Sequence, residues 1–210
     1  IALPHYYHAY LGDAQTNVEL TPTERAAAFR MRFNGGDSAY VVLDACNGGS
    51  YVKVIPEQRR IVGYSTKNNG GVGPAFKNFF VITFNRPFLN ATIWKDKQLL
   101  DGQYEQQGQH VGAVVGCDLK RGETVEMHIA TSYISEEQAE LNLQEIGKQS
   151  FDEVKAKAEQ TWDAELAKVS VAGGTDDDMR TFYTSLYSML IFPRKFYEID
   201  DKGDTLHYSP

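Results

Sequence analysis

Along the first 133 residues, apolar and polar positions alternate with a period of two. Tyr6, His8 and Tyr10 fall on one side of the pleat, and His5, Tyr7, Ala9 and Leu11 on the other, as a half-buried strand requires. Similar stretches recur at 16–20, 24–33, 39–46, 50–55, 59–65, 76–86, 89–95, 110–118 and 123–132. Asn34-Gly35-Gly36, Asn47-Gly48-Gly49 and Arg121-Gly122 separate some of them, and Asn and Gly reach the backbone angles that tight turns need. Many strands joined by short turns, with no helix between them, predict antiparallel sheets packed as a sandwich and exclude parallel βαβ units.

The period changes at Ser135. Ser135-Glu136-Glu137-Gln138 reads as a capping box, after which Ala139, Leu143 and Ile146 recur at helical spacing up to Gly147. A second box, Ser150-Phe151-Asp152-Glu153, opens a helix to about residue 168 with Phe151, Val154, Ala158, Trp162 and Leu166 on one face. A short strand at 169–171 and Gly173-Gly174 precede a third helix from Thr175, whose three aspartates sit where the helix dipole favours negative charge. Met179, Phe182, Tyr183, Leu186, Tyr187 and Leu190 give that helix a wide aromatic stripe, Pro193 ends it, and 195–208 reads as a hairpin around Asp201-Lys202-Gly203. The expected division is a β-sandwich domain at 1–133, a helical linker at 134–168 and the start of a helical domain at 169–210. The stripe needs helical partners that this chain does not contain, and Ile1, inside what reads as a strand, predicts residues upstream.

Composition narrows the function more by exclusion than by assignment. The formal charge is −7 and no Lys/Arg run exceeds two residues, so the basic stripe that neutralises phosphates is missing. No stretch approaches the roughly 20 apolar residues of a membrane span. Twelve Tyr and eleven Phe, most of them in the alternating half, fit a pleated surface. Cys46 and Cys117 read as buried free thiols, although they could pair in a secreted protein.

Tests for site chemistry are mostly negative. His5 and His8 point to opposite sides of a strand, His110, His128 and His207 are isolated, and no zinc pattern occurs. Asp200-Asp201-Lys202-Gly203-Asp204 lacks the glycine position and closing glutamate of a calcium loop and reads as a solvated turn. Asn69-Gly70-Gly71-Val72-Gly73-Pro74 has no Lys-Ser/Thr after it and opens no helix, so it reads as a loop, not a phosphate cradle. The acids at helix starts already have a capping role. Trp94 and Trp162 could stack on sugars, but core packing accounts for both. A pair of catalytic carboxylates acts across a cleft and cannot be found by spacing.

The junction carries more information than any ligand pattern. The run from Ala130 through Ser135-Glu136-Glu137-Gln138-Ala139 to Asn142-Leu143 resembles a signature of the family 92 glycoside hydrolases, the exo-acting α-mannosidases common in gut Bacteroidetes. Glu145-Ile146, Phe151-Asp152, Trp162-Asp163-Ala164-Glu165-Leu166 and Phe182-Tyr183-Thr184-Ser185-Leu186-Tyr187 follow in the family's order and spacing, with Pro193-Arg194 after them. Pro4-His5-Tyr6-Tyr7 and Val18-Glu19-Leu20-Thr21-Pro22-Thr23-Glu24-Arg25 are similar to its N-terminal domain. The resemblance implies an N-terminal β-sandwich (supersandwich type) followed by an (α/α)6 barrel with the active site between them. It also implies inverting, calcium-dependent removal of terminal mannose from α-mannosides, in the periplasm or at the cell surface of a bacterium. By the family's pattern the acid, the base and the calcium ligands lie after Pro210, so no catalytic or metal residue is transferred. Arg194 is the nearest candidate for the cleft, where a guanidinium suits hydroxyl or carboxylate contacts; pairing with Glu198 or Asp200 is the structural reading of the same residue. The alternative function is a non-catalytic carbohydrate-binding sandwich, which has no need of the 179–190 stripe.

Overall fold

The computed structural model describes residues 1–35, 39–191 and 195–208. Eleven strands form one antiparallel ladder: β1 (Ala2–Leu3), β2 (Tyr6–Leu11), β3 (Thr16–Pro22), β4 (Ala26–Phe33), β5 (Ala39–Ile55), β6 (Arg60–Ser65), β7 (Asn78–Phe84), β8 (Asn90–Lys95), β9 (Gln98–Leu100), β10 (Glu105–Cys117) and β11 (Thr124–Ser132). The order is β1-β2-β3-β4-β11-β7-β6-β5-β10-β8-β9. The ladder curls over and packs against itself as a sandwich. One core joins Met31, Val125 and Met127 of β4 and β11 to Ile93, Val111 and Val115 of β8 and β10, although β7, β6 and β5 separate those pairs in the ladder. Each fully buried valine or isoleucine of this core adds about 1.5–3 kcal/mol over its exposed state.

Several local expectations change. Pro4 and His5 form the turn between β1 and β2 and do not extend a strand, since Leu3 pairs with Tyr6. Asn47-Gly48-Gly49 is not a hairpin turn: β5 runs straight through it, pairing with β10 from Ala39↔Cys117 to Lys53↔Glu105. Cys46, Gly48 and Gly49 all have positive φ there, and the register with β10 slips on either side of His110. A bulge and a turn need the same left-handed residues, so sequence alone does not separate them. The bulge also leaves Cys46 exposed, contrary to the expected burial, while Cys117 is buried; both thiols are free. Trp94 lies across Gly112 and donates from its indole N–H to the Leu43 carbonyl at 3.2 Å. A side chain at Gly112 would strike both that carbonyl and the indole, so packing does account for this tryptophan.

Two helices close one outer face of the sandwich. In α1 (Glu136–Asn142), Ala139 packs on Val62 of β6 and Val81 of β7. Ser135 accepts from the Gln138 amide as an N-cap, but Gln138 does not reach back to complete a box. Its side chain bonds elsewhere, to Asn142 and to the Ile199 carbonyl. In α2 (Phe151–Leu166) the box of Ser150 and Glu153 is complete. Phe151 and Val154 are buried with Tyr6, Ala26, Ala28, Ala130 and Ile146, whereas Ala158, Trp162 and Leu166 are only half-buried, so the helix runs off the sandwich. Residues 169–171 form no strand; they have no ladder partner among the described residues. Thr175 and Asp178 cap α3 (Asp176–Ile191) reciprocally, and not one side chain of that helix is buried. The hairpin appears as expected, as β12 (Tyr197–Ile199) and β13 (Thr205–His207).

Candidate functional site

The chemistry-bearing side chains gather at the seam where the sandwich meets α1, the end of α3 and the hairpin. A cleft of about 380 Å³ opens there, lined among others by Glu24, Arg25, Tyr133, Lys195, Phe196 and Glu198. The strand alternation of β12 turns Glu198 inward while its neighbour Ile199 is exposed. Its carboxylate accepts from the Tyr133 amide at 2.9 Å and from the Asn142 side chain at 2.6 Å. Asn142 also donates to the Thr131 carbonyl at 2.8 Å, and Gln138 donates to the Ile199 carbonyl at 2.8 Å. Phe76, Tyr133 and Tyr208 form an aromatic trio beside this network, with centroids 5.7–5.9 Å apart.

Arg25 is the second hub. It donates to the Tyr197 carbonyl at 3.2 Å and pairs with Glu145 at 3.4 Å, while Glu145 accepts from the Thr23 hydroxyl at 2.6 Å and the Arg25 amide at 2.9 Å. Glu24 lies 2.6 Å from Lys195, whose ammonium it holds above the ordinary lysine value, and 3.3 Å from Arg25. The two carboxylates lining the cleft, Glu24 and Glu198, are therefore engaged in holding elements together. The geometry assigns neither to proton transfer.

A similar network anchors α2. Arg30 donates to Glu19 at 2.8 Å and to Asp152 at 3.1 Å and lies 4.3 Å over the Phe151 ring. The Arg30 guanidinium holds the Glu19 carboxyl below its usual range, and burial together with Glu19 pushes the Tyr6 phenol up to about 12. Between α2, α3 and the loop leading into β4 lies a larger groove of about 780 Å³, where Trp162 meets Tyr187 at 5.0 Å.

Arg194, the one substrate-proximal candidate, lies outside the described residues. The histidines are dispersed: His110 pairs with Asp44 at 2.8 Å, His8 with Asn17, and His128 is half-buried with its pKa lowered by desolvation. Among the described residues no group of three His, Cys, Asp or Glu side chains could hold a metal ion. Asp200 accepts from the Lys202 and Asp204 amides of its own turn, which accounts for that acidic stretch. The glycine-rich loop is exposed at Gly70 and Gly71, with Asn68 bonding the Gly70 amide, and no helix follows it. What sequence reading missed is the cooperation of Arg25, Gln138, Asn142, Glu145 and Glu198. All but Glu198 lie inside the family-like motifs, which was the available signal.

The model of the glycosyl hydrolase family 92 N-terminal domain matches residues 1–132, and that of the family 92 catalytic domain matches 138–210. The chain belongs to glycosyl hydrolase family 92. The change from one family domain to the other falls at the seam, between the end of β11 and the first turn of α1. Among solved structures, the family GH92 inverting mannosidase BT2199 of Bacteroides thetaiotaomicron VPI-5482 is 35% identical, with a TM-score of 0.94 over 100% of this chain. The family GH92 α-mannosidase BT3965 of Bacteroides thetaiotaomicron is 25% identical, with a TM-score of 0.82 over 100% of this chain. The chain spans 28% and 30% of those two proteins. No curated protein matches it by sequence. No described helix is long and apolar enough to cross a membrane.

Proposed function

We propose that this family 92 chain is the N-terminal sandwich and the first part of the catalytic domain of an α-mannosidase that removes terminal mannose from α-mannosides with inversion. The observation that carries the reading is the 35% identity, over the whole chain, to a family 92 inverting mannosidase. In an inverting hydrolase one carboxylic acid protonates the leaving oxygen, and a carboxylate about 6.5–9.5 Å away activates water on the opposite face of the ring. No described residue is assigned to either role. The chain's own part is architectural: it supplies one wall of a cleft at the domain seam and holds the catalytic domain against it.

Calcium dependence and a periplasmic or cell-surface location belong to the same proposal. The described residues do not provide a calcium ligand set. The test uses protein that carries the whole catalytic domain. It should release mannose from α-linked mannosides, with β-mannose as the first product by NMR, and lose turnover on chelation. Mannoside binding with calcium present and no turnover would overturn the enzyme reading in favour of a binding module.

A further inference from the structure

Building on the two-domain hydrolase reading, we propose that Glu198 is a positioning residue, a clasp that locks the hairpin of the catalytic domain to the sandwich and so sets the shape of the seam cleft. Glu198 is 5% exposed, and a carboxylate so placed is costly unless its oxygens are satisfied. Both are: one by the backbone amide of Tyr133, just past the last sandwich strand, and one by Asn142 at the end of α1. Asn142 in turn grips Thr131 of β11, and Gln138 grips the hairpin at Ile199.

Among the described residues, the hairpin has few other contacts that tie it to the sandwich. Its strands are three residues each, and an isolated two-stranded hairpin is marginal in water. The helix before it, α3, buries no side chain against the sandwich, so it does not tie the hairpin there. The other ties among the described residues are the Arg25 bond to Tyr197, the Lys195–Glu24 pair and the ring of Tyr208 against Phe76 and Tyr133. Glu198 is the buried centre of these contacts. Catalysis between two domains demands placement to about 1 Å, where a misplacement can lower a rate about a hundredfold. A clasp at the seam therefore acts on turnover through geometry without touching substrate.

The experiment is Glu198→Gln, alone and combined with Asn142→Asp, in protein carrying the whole catalytic domain. Glutamine can accept from Tyr133 but sets a donor against the Asn142 donor. The Asn142→Asp partner turns that contact back into a donor–acceptor pair and keeps an acceptor for Gln138, while giving up the donation to the Thr131 carbonyl. The single variant should lower kcat tenfold or more with KM changed less than threefold, and the pair should recover part of the loss, at least threefold in kcat over the single variant. Wild-type kcat in the single variant would overturn the clasp, as would a double variant that melts like wild type and recovers nothing. If Glu198→Gln does not fold, amide exchange in the unsubstituted protein decides. Hairpin amides as protected as those of β11 support the clasp, and free exchange of the hairpin overturns it. Absence of turnover in the unsubstituted protein would instead refute the mannosidase reading, which separates the two failures.

Discussion

The first turns of α2 and the whole of α3 are both amphipathic and both capped, yet they sit in opposite circumstances. Phe151 is 1% exposed and lies under Arg30 against the sandwich, whereas Met189 is 68% exposed. Helix formation is cooperative but marginal in isolation, and most helical stability in proteins comes from burying an apolar face. Good caps at Ser150 and Thr175 therefore start both helices, but tertiary partners distinguish them. The sandwich supplies those partners for α1 and the beginning of α2. For α3 the described contacts are sparse, such as the Trp162–Tyr187 stack and the Tyr183 hydroxyl bond to the Val169 carbonyl.

This contrast can be broken most sharply at Phe151. Phe151→Ala should destabilise the chain by about 3–5 kcal/mol, read by denaturant unfolding, because it empties a buried site shared with Tyr6 and Ile146. A smaller effect belongs to the ion network beneath the same helix. The folded carboxyl of Glu19 is depressed, so its contribution is present above the ordinary glutamate pKa and is lost as pH falls through the folded value. Glu19→Gln should cost about 1–3 kcal/mol at neutral pH and flatten the acid limb of the stability profile, measured by urea unfolding at stepped pH. The smallest change is expected on α3. Met189→Ala should stay within about 0.5 kcal/mol and, in the 210-residue chain, lower binding of a hydrophobic dye. A loss as large as that at Phe151 would show that α3 is held as firmly as α2 and would erase the comparison.

Much of this fold is legible in the order of residues alone. The period-2 alternation finds most strands because one face of each is buried, and the change of period at Ser135 places the seam. The failures share one cause. Asn47-Gly48-Gly49 carries the residues of a turn, but a bulge uses them equally well, and whether β5 continues depends on β10, more than fifty residues away. Residues 169–171 have strand-like composition without a neighbour to pair with. Gln138 fits the capping-box pattern, yet Asn142 and the Ile199 carbonyl offer its side chain better partners than the N-cap amide.

The candidate site divides in the same way. Motifs around 130–143 and 18–25 are enough to suggest the family, because their order and spacing are local properties of the chain. They do not show that Arg25 meets Glu145 and Tyr197, or that Glu198 reaches Tyr133 and Asn142. The sequence by itself determined most of the elements, the N-cap residues of the helices and the family, since hydrophobic period and backbone preference act over a few residues. Only the tertiary structure decided which polar groups share the seam, because a buried carboxylate is tolerated only where the fold brings donors to both of its oxygens.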